Sequence, residues 1–376
     1  MKKILIINPY YYPGFRSGGP QQTIMNIVDA FGKNYSFYIL TSNHDLGSSI
    51  IYDNIDVGWN DVGNAKVFYA NDRELNYKLI AKLSKEVDLI YSCGLFERTT
   101  INLLIANKKK LINCSIIVAP MGVFSNGAIS QKYLKKRIFL FSGKLLGLFK
   151  NIYWSFSSQL EVEDFKKHMG YPKKYEIAMD IPRNPKKNIN ITNKVKKDGE
   201  LNVIFLSRIC PTKNLELAIE IISKLYGKIQ FDIYGTKEDI KYWNKCENKL
   251  KQLPKNIKWK TYSEVSSDKV IEIFSMYDVF LFPTLGENFG HVIYESLLAG
   301  CIPVISNNTP WQDLDKKNCG SVVNINKLDL FIIEMEKYID MNNDEFQKYK
   351  ESAKKYAFET YHRLIEESGY KKIFNL

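Results

Sequence analysis

Histidine is scarce in this sequence. The four present, His44, His168, His291 and His362, stand at no metal-ligand spacing, so no metal centre is expected. The six cysteines, Cys93, Cys114, Cys210, Cys246, Cys301 and Cys319, are scattered without a C-x-x-C pair. They read as reduced cytosolic thiols, which excludes a disulfide scaffold or a zinc framework. No stretch approaches the ~20 apolar residues of a membrane-spanning helix. The apolar run in MKKILIIN stops after about five residues, too short for a secretory signal, and reads as a buried first strand. No G-x-G-x-x-G occurs, so the dinucleotide fingerprint is missing. Repeats and low-complexity segments are missing too.

Acid is the scarcer charge. Asp and Glu total 41 against 53 Lys and Arg, a formal net charge of +12. That excess implies an anionic partner: nucleic acid, a membrane surface or a phosphorylated ligand. The cations gather in the first half, at 107–110, 131–150, 166–168 and 172–174. An aromatic-basic RNA signature and helix-turn-helix spacing are both absent, so no nucleic-acid partner is expected.

The 376 residues suffice for about two domains. KILIIN, YSFYILT, AKVFY, VDLIYS and CSIIVAP read as strands, most of them separated by helical patterns. One such helix is PQQTIMNIVDAFG, with Pro20 suited to its first turn and Gly32 to its end. The polar, basic, proline-bearing stretch 181–200 reads as a linker. Alternation then resumes with LNVIFLS, IQFDIYG, NIKWKTY, YDVFLFPT and CIPVIS, and two helices close the chain. Continuous apolar strands alternating with helices predict α/β architecture: two doubly wound, Rossmann-like parallel-sheet domains facing a cleft. The expected bounds are 1–180, a linker over 181–200, 201–355, and a C-terminal helix 356–376 returning to the first domain. In such sheets ligands bind beyond the C-terminal strand ends.

Three stretches carry chemistry. In GENFGHVIYESLLAG a strand ends in a loop and a helix is predicted from Phe289 to Ala299, capped by Asn288. Gly290 permits close approach of the backbone, and the helix mouth is a ready anion site. Glu295 would lie on the order of 9 Å along the axis, about the span from a diphosphate to the ribose hydroxyls of one nucleotide. Glu287 sits on the other side of that anion site. In FLSRICPTKNLELAI, Arg208 follows a strand and Lys213 opens a helix, so both can neutralise a diphosphate. In NPYYYPGFRSGGPQQT, Gly18 and Gly19 precede a helix, where backbone amides can face a phosphate. Each stretch also has a plainer reading, as a capped helix, solvated cations or a simple turn. The carboxylates of Asp313-Leu314-Asp315 read as the start of a short helix rather than a metal site.

Taken together, the two-glutamate motif, the Arg208 and Lys213 pair and the Gly-Gly loop resemble the retaining glycosyltransferases of family four, which have the GT-B fold. The resemblance spans essentially the whole chain. It includes 119–137 and 157–170, which are similar to segments of relatives that build bacterial surface polysaccharides. It implies that Glu287 contacts the donor hexose and Glu295 the donor ribose. Asn288, Phe289, Gly290, His291 and Val292 would contribute main-chain contacts to sugar and phosphate. Arg208 and Lys213 would stabilise the leaving diphosphate, with Gly18 and Gly19 approaching it from the first, acceptor-binding domain. Tyr234, Gly235, Thr261 and Tyr262 would line the nucleotide pocket. The donor would be a UDP-, GDP- or ADP-sugar, the acceptor a saccharide or lipid-linked saccharide, and no cofactor or metal would be needed. The expected location is cytoplasmic, with peripheral contact to the inner face of the plasma membrane. The chain departs from the family at Cys93, where many relatives have His, and at Met121 and Val123, where Arg and an acidic residue are usual.

In QKYLKKRIFLFSGKLLGLFK (131–150), Leu134, Ile138, Phe141, Leu145 and Leu148 fall on one helical stripe beside Lys132, Lys135, Lys136 and Arg137. Two readings stand: a helix lying on an anionic leaflet, or a core-packing helix with a solvated basic face. Rival functions are a nucleotide-sugar epimerase or hydrolase on the same fold, a basic nucleic-acid-binding protein, and a catalytically dead relative.

Overall fold

The computed structural model describes residues 1–53, 55–56, 58–125, 128–129, 132–185 and 195–376. The chain divides into two compact units, Met1–Asn184 with Leu364–Leu376, and Pro185–Arg363. Part of the 181–200 stretch read as a linker, residues 186–194, lies outside the described residues.

The first unit is built on β1 (Lys3–Ile7), β2 (Ser36–Ser42), β3 (Gly58–Val62), β4 (Ala65–Ala70), β5 (Leu89–Cys93), β6 (Ser115–Ala119), β7 (Tyr153–Phe156) and β8 (Tyr175–Ile177). Their order across the sheet is β3-β4-β2-β1-β5-β6-β7-β8. All pairs are parallel except β3 with β4, where Gly58 faces Tyr69. Ile4, Leu5, Ile6 and Ile7 of β1 are fully buried. A central parallel strand covered on both faces has no side to leave polar, which is why its sequence is an unbroken apolar run. Each such side chain contributes about 1.5–3 kcal/mol by burial.

The second unit holds β9 (Glu200–Leu206), β10 (Lys228–Tyr234), β11 (Ile257–Tyr262), β12 (Val279–Phe282), β13 (Ile302–Ser306) and β14 (Ser321–Val323). This sheet is parallel throughout, in the order β11-β10-β9-β12-β13-β14. The strand order reverses between β9 and β12, and in the first unit between β1 and β5. At such a switch point the two flanking loops leave the sheet in opposite directions and open a crevice beyond the strand ends. The loops that follow β9 and β12 are those that carry Arg208, Lys213 and Glu287.

Four short or edge strands, β3, β7, β8 and β14, were not legible as strands. β3 reads GWNDV and is half exposed, and β8 and β14 have three residues each, too few for a period to show. The helix Asn343–Glu366 leads back to the first unit, where the helix Gly369–Phe374 docks. Phe374 lies 5.7 Å from Phe37 and 5.9 Å from Tyr91, ring centre to ring centre. A Cβ at Gly369 would lie 2.2 Å from the Ile177 carbonyl oxygen, so only glycine permits that contact.

Candidate active site

Lys213 is placed by a short turn. After β9 the buried Ile209 donates its N–H to the Thr236 carbonyl at 2.8 Å, and Pro211–Lys213 form one turn of 3-10 helix. Asn214 then adopts a left-handed conformation, φ 59°, which asparagine tolerates better than most residues. The helix Leu215–Ser223 begins directly after it, so Lys213 sits at the strand's C-terminal edge. Three contacts tie this turn to the loop after β12. Leu285 N–H donates to the Thr212 carbonyl at 2.9 Å, the Thr284 hydroxyl to the same oxygen at 3.1 Å, and the Asn214 amide to the Pro283 carbonyl at 3.0 Å. The stitching brings the Lys213 ammonium into direct contact with the Glu287 carboxylate. Both side chains are largely shielded, 15% and 13% exposed. Arg208 behaves differently. It pairs with Glu238 at 3.0 Å, and both ends of that pair stand about half exposed in solvent.

The mouth of the following helix begins two residues later than the sequence suggests. The helix is His291–Ala299, its N-cap is Gly290, and no side chain caps it. Asn288 is exposed and does not cap, because Gly290 takes φ 80° and turns the chain between them. Asparagine at that distance cannot reach the first helical N–H groups. A Cβ on Gly290 would meet the Ile293 side chain at 2.9 Å and the Glu287 Cγ at 3.5 Å, so the glycine lets the Glu287 loop fold tightly onto the helix. Phe289 is buried, and its carbonyl accepts from the Trp311 indole N–H at 2.6 Å. Glu287 N–H donates to the Asn308 carbonyl at 3.2 Å. Glu295 is buried one turn into the helix, about 6 Å from His291 along the axis rather than the longer rise expected.

Beside these loops, Gly235, Thr236, Lys237, Thr261, Tyr262 and Glu264 line a hollow of about 420 Å³. Tyr262 stacks on Tyr234 with ring centres 4.3 Å apart and planes at 10°. Tyr234 lies beneath: it is buried and its hydroxyl bonds that of Tyr277 at 3.0 Å. Tyr277 in turn donates to Asp232 at 2.7 Å. Burial, and then its two hydrogen-bonded neighbours, push the Tyr277 phenol far above its ordinary range, so it stays a donor. Gly235 is dictated by packing, since a Cβ would fall 1.8 Å from the Ser207 carbonyl oxygen.

In the first unit, Gly18 forms the N-cap of the helix Gly19–Phe31, which has Pro20 in its first turn and Gly32 at its end. A Cβ on Gly19 would meet nothing within 4 Å. Cys93 ends β5 and is buried; burial, with Asp180 adding, pushes its thiol well up, so it is a neutral thiol and no nucleophile. Met121 holds φ 60° and Gly122 φ 74° in the loop after β6. The buried Glu161 clamps that loop, accepting from Gly122 N–H at 2.6 Å and from Ser157 N–H and hydroxyl at 2.7 and 2.9 Å.

Residues 186–370 match the family model described as glycosyl transferases group 1. That segment, just under half of the chain, is similar to the group 1 glycosyl transferases. Solved structures extend the likeness of fold to the whole chain. WaaG, a glycosyltransferase involved in lipopolysaccharide biosynthesis, is 14% identical over 97% of this chain and 98% of its own, with a TM-score of 0.66. Sucrose-phosphate synthase from Thermosynechococcus elongatus is 12% identical over all of both chains, TM-score 0.70. Anabaena HepE in complex with UDP-glucose is 13% identical over all of both, TM-score 0.67. No curated protein matches the chain by sequence. The chain has the GT-B fold.

Sequence reasoning passed over the residues that hold this candidate site together. Thr284 is fully buried and links the Lys213 turn to the Glu287 loop; Trp311 and Asn308 pin Phe289 and Glu287 from the loop after β13. A threonine directly after a buried strand, and a tryptophan among polar loop residues, were the available signals. Asp313 and Asp315 serve structure: Asp313 accepts from the Tyr356 hydroxyl, and Asp315 from Val322 N–H at 3.0 Å.

Proposed function

We propose that this protein is a glycosyltransferase that moves a hexose or N-acetylhexosamine, with retention, from a nucleoside-diphosphate sugar to a saccharide or lipid-linked saccharide acceptor. The observation that carries the reading is the shielded Lys213–Glu287 contact at the mouth of the His291 helix, inside the segment matched by the family. Breaking an anomeric C–O bond builds positive charge on the sugar and negative charge on the departing diphosphate. A cation and a helix N-terminus fixed at the diphosphate oppose that second charge without reorganising, the largest lever available to such a site. Lys213 fills this role first and Arg208 second, which leaves no step that requires a metal.

In this reading Glu287 binds a donor hexose hydroxyl and orients Lys213, while Glu295 accepts from the ribose hydroxyls. Main-chain groups of Asn288 to Val292 hold sugar and phosphate. The nucleoside occupies the hollow between Gly235 and Tyr262. Retention follows if the acceptor attacks on the face the diphosphate leaves, with a phosphate oxygen taking the acceptor proton. The UDP-glucose bound to HepE is a donor of this class, and WaaG's part in lipopolysaccharide biosynthesis supports surface polysaccharide as the product class. The enzyme would act on the cytoplasmic side.

A thermal-shift screen against UDP, GDP, ADP and their sugars tests the donor. A true donor at 100 times its dissociation constant adds about 2.7 kcal/mol of stability. Product analysis with and without saccharide acceptors completes it. Turnover of donor alone to an epimer or free sugar, unchanged by any acceptor, would replace this reading with the epimerase or hydrolase.

A further inference from the structure

The helix Tyr133–Leu145 is fixed to the first unit by one face only. Leu140 and Gly143 are buried, and Phe139 packs 5.8 Å from Phe96 and 6.0 Å from Phe149. Lys136 also turns inward: its ammonium donates to the Ala128 carbonyl at 2.6 Å and lies 5.1 Å from the Phe96 ring centre. Leu148 falls beyond the helix end and packs on the core, so it leaves the expected stripe. The opposite face is left to solvent. Leu134, Ile138, Phe141 and Leu145 are 70%, 60%, 73% and 78% exposed. At 100° per residue they fall within an arc of about 60°, so they form one ridge. Because the inner face is docked, the helix cannot roll to bury that ridge in its own core. The core-packing reading of these apolar residues is thereby excluded.

Charge borders the ridge on both sides. Arg137 and Lys144 project along one flank and Lys135 along the other, by the same helical geometry. The surroundings are as one-sided. From Arg98 to Leu160 the sequence has ten Lys and Arg and no Asp or Glu. After the buried Glu161, the next acids, Glu163 and Asp164, are each paired at 2.7 Å, with Lys166 and Lys167. A second copy of the chain laid on this ridge would bring the two basic fields together. No described helix is long and apolar enough to cross a membrane, and at 13 residues this one is about 20 Å long.

We propose that this helix lies flat on an anionic lipid bilayer, its four-residue ridge entering the headgroup boundary and Lys135, Arg137 and Lys144 meeting lipid phosphates. An apolar ridge flanked by cations on a helix too short to span is the pattern of interfacial binding. The inference is independent of the reaction proposed above and places a second site on the other unit of the chain.

The test uses the full chain and vesicles of phosphatidylcholine, alone or mixed with phosphatidylglycerol. Flotation with the mixed vesicles only, weakening as salt rises, is the expected result. Each exposed cation should contribute about fivefold to the partition coefficient, so Lys135→Gln, Arg137→Gln and Lys144→Gln together should lower it on the order of 100-fold. Phe141→Ser and Leu145→Ser should each lower it on the order of tenfold. Lys144 also donates to the His168 carbonyl at 3.0 Å and Arg137 to the Tyr133 hydroxyl at 3.2 Å, both at the surface, so thermal melting should change little. As a control, Leu330→Ser with Ile333→Ser removes an exposed apolar pair of the second unit and should float like the parent. The proposal is overturned by any of four results: no flotation, equal flotation with neutral vesicles, flotation indifferent to Phe141→Ser and Leu145→Ser, or a dimer that those two changes abolish.

Discussion

Two cation–carboxylate pairs stand at the C-terminal edge of the second sheet, and they are built differently. Lys213 and Glu287 meet with most of both side chains shielded; Arg208 and Glu238 meet in the open. The shielded pair is held by a web of main-chain and threonine contacts, while the open one hangs from a loop. Charge in a partly dried site acts on a ligand at several times its strength in water, and charge in solvent is largely screened. If this edge takes the diphosphate proposed above, the principal electrostatic role falls to Lys213 and a lesser, adjustable one to Arg208, although the two look equivalent in sequence.

The largest expected effect is that of Lys213→Ala. Removing one preorganised donor from a developing negative charge costs about 10²–10³ in turnover. The change also leaves Glu287 shielded without its cation, and breaking a buried pair costs about 3–5 kcal/mol, less here because both ends keep some water. Lys213→Ala with Glu287→Gln should therefore recover most of the melting temperature and none of the activity. Single-turnover transfer assays beside thermal melts check both halves. Recovery of activity in the double variant would show that the pair is structural only.

Arg208→Ala should cost roughly tenfold in turnover, about 1.4 kcal/mol, and change stability by less than about 1 kcal/mol. Glu238→Gln, which releases the guanidinium, should not lower turnover at all. If Arg208→Ala proves more damaging than Lys213→Ala, the contrast between shielded and open pairs is reversed.

The glycines of the first unit give a third, smaller contrast. Gly19→Ala adds a methyl group that meets nothing in the protein, so melting should not move. Gly18→Ala must hold φ 69° and should lose about 1–2 kcal/mol of stability. If Gly19 lies against the donor phosphates, its methyl crowds a ligand rather than the fold, and donor KM should rise several-fold. Unchanged donor kinetics in Gly19→Ala would remove this loop from the site.

These contrasts also mark what the sequence could tell. The long strands and the helix starting near Pro20 were legible because period and punctuation are local properties. The two-glutamate motif was legible because one loop and one helix carry all its residues in order. The Lys213–Glu287 contact was not, since it depends on how the loops after β9 and β12 are stitched by Thr284 and Asn214, residues without a chemical signature of their own. The helix start was misplaced because Gly290, in the left-handed region, cut off the cap that Asn288 would otherwise have formed. Exposure of the Leu134 to Leu145 ridge was equally hidden. An amphipathic period gives two faces and does not say which one meets the core.

In the first unit, burial acts on the carboxyl of Asp180. Burial raises its carboxyl to about 7, with Glu161 as a like-charged neighbour adding to the shift and a hydrogen bond from Thr23 opposing it. In the unfolded chain the same group releases its proton near the ordinary ~3.9. Between those values the unfolded state binds fewer protons than the folded one, so stability falls as pH rises. The contribution of Asp180 is present in full below about 4, declines through about 7 and changes no further above it. The slope has a ceiling of about 1.4 kcal/mol per pH unit, and the side chain's partial exposure keeps the real value well below it. Melts at pH 5 and pH 8 should therefore differ by a few degrees in the parent protein, lower at pH 8, and by less in Asp180→Asn, where nothing titrates at that position. Parallel pH profiles in the two proteins would mean that Asp180 is already ionised in the folded state at pH 5.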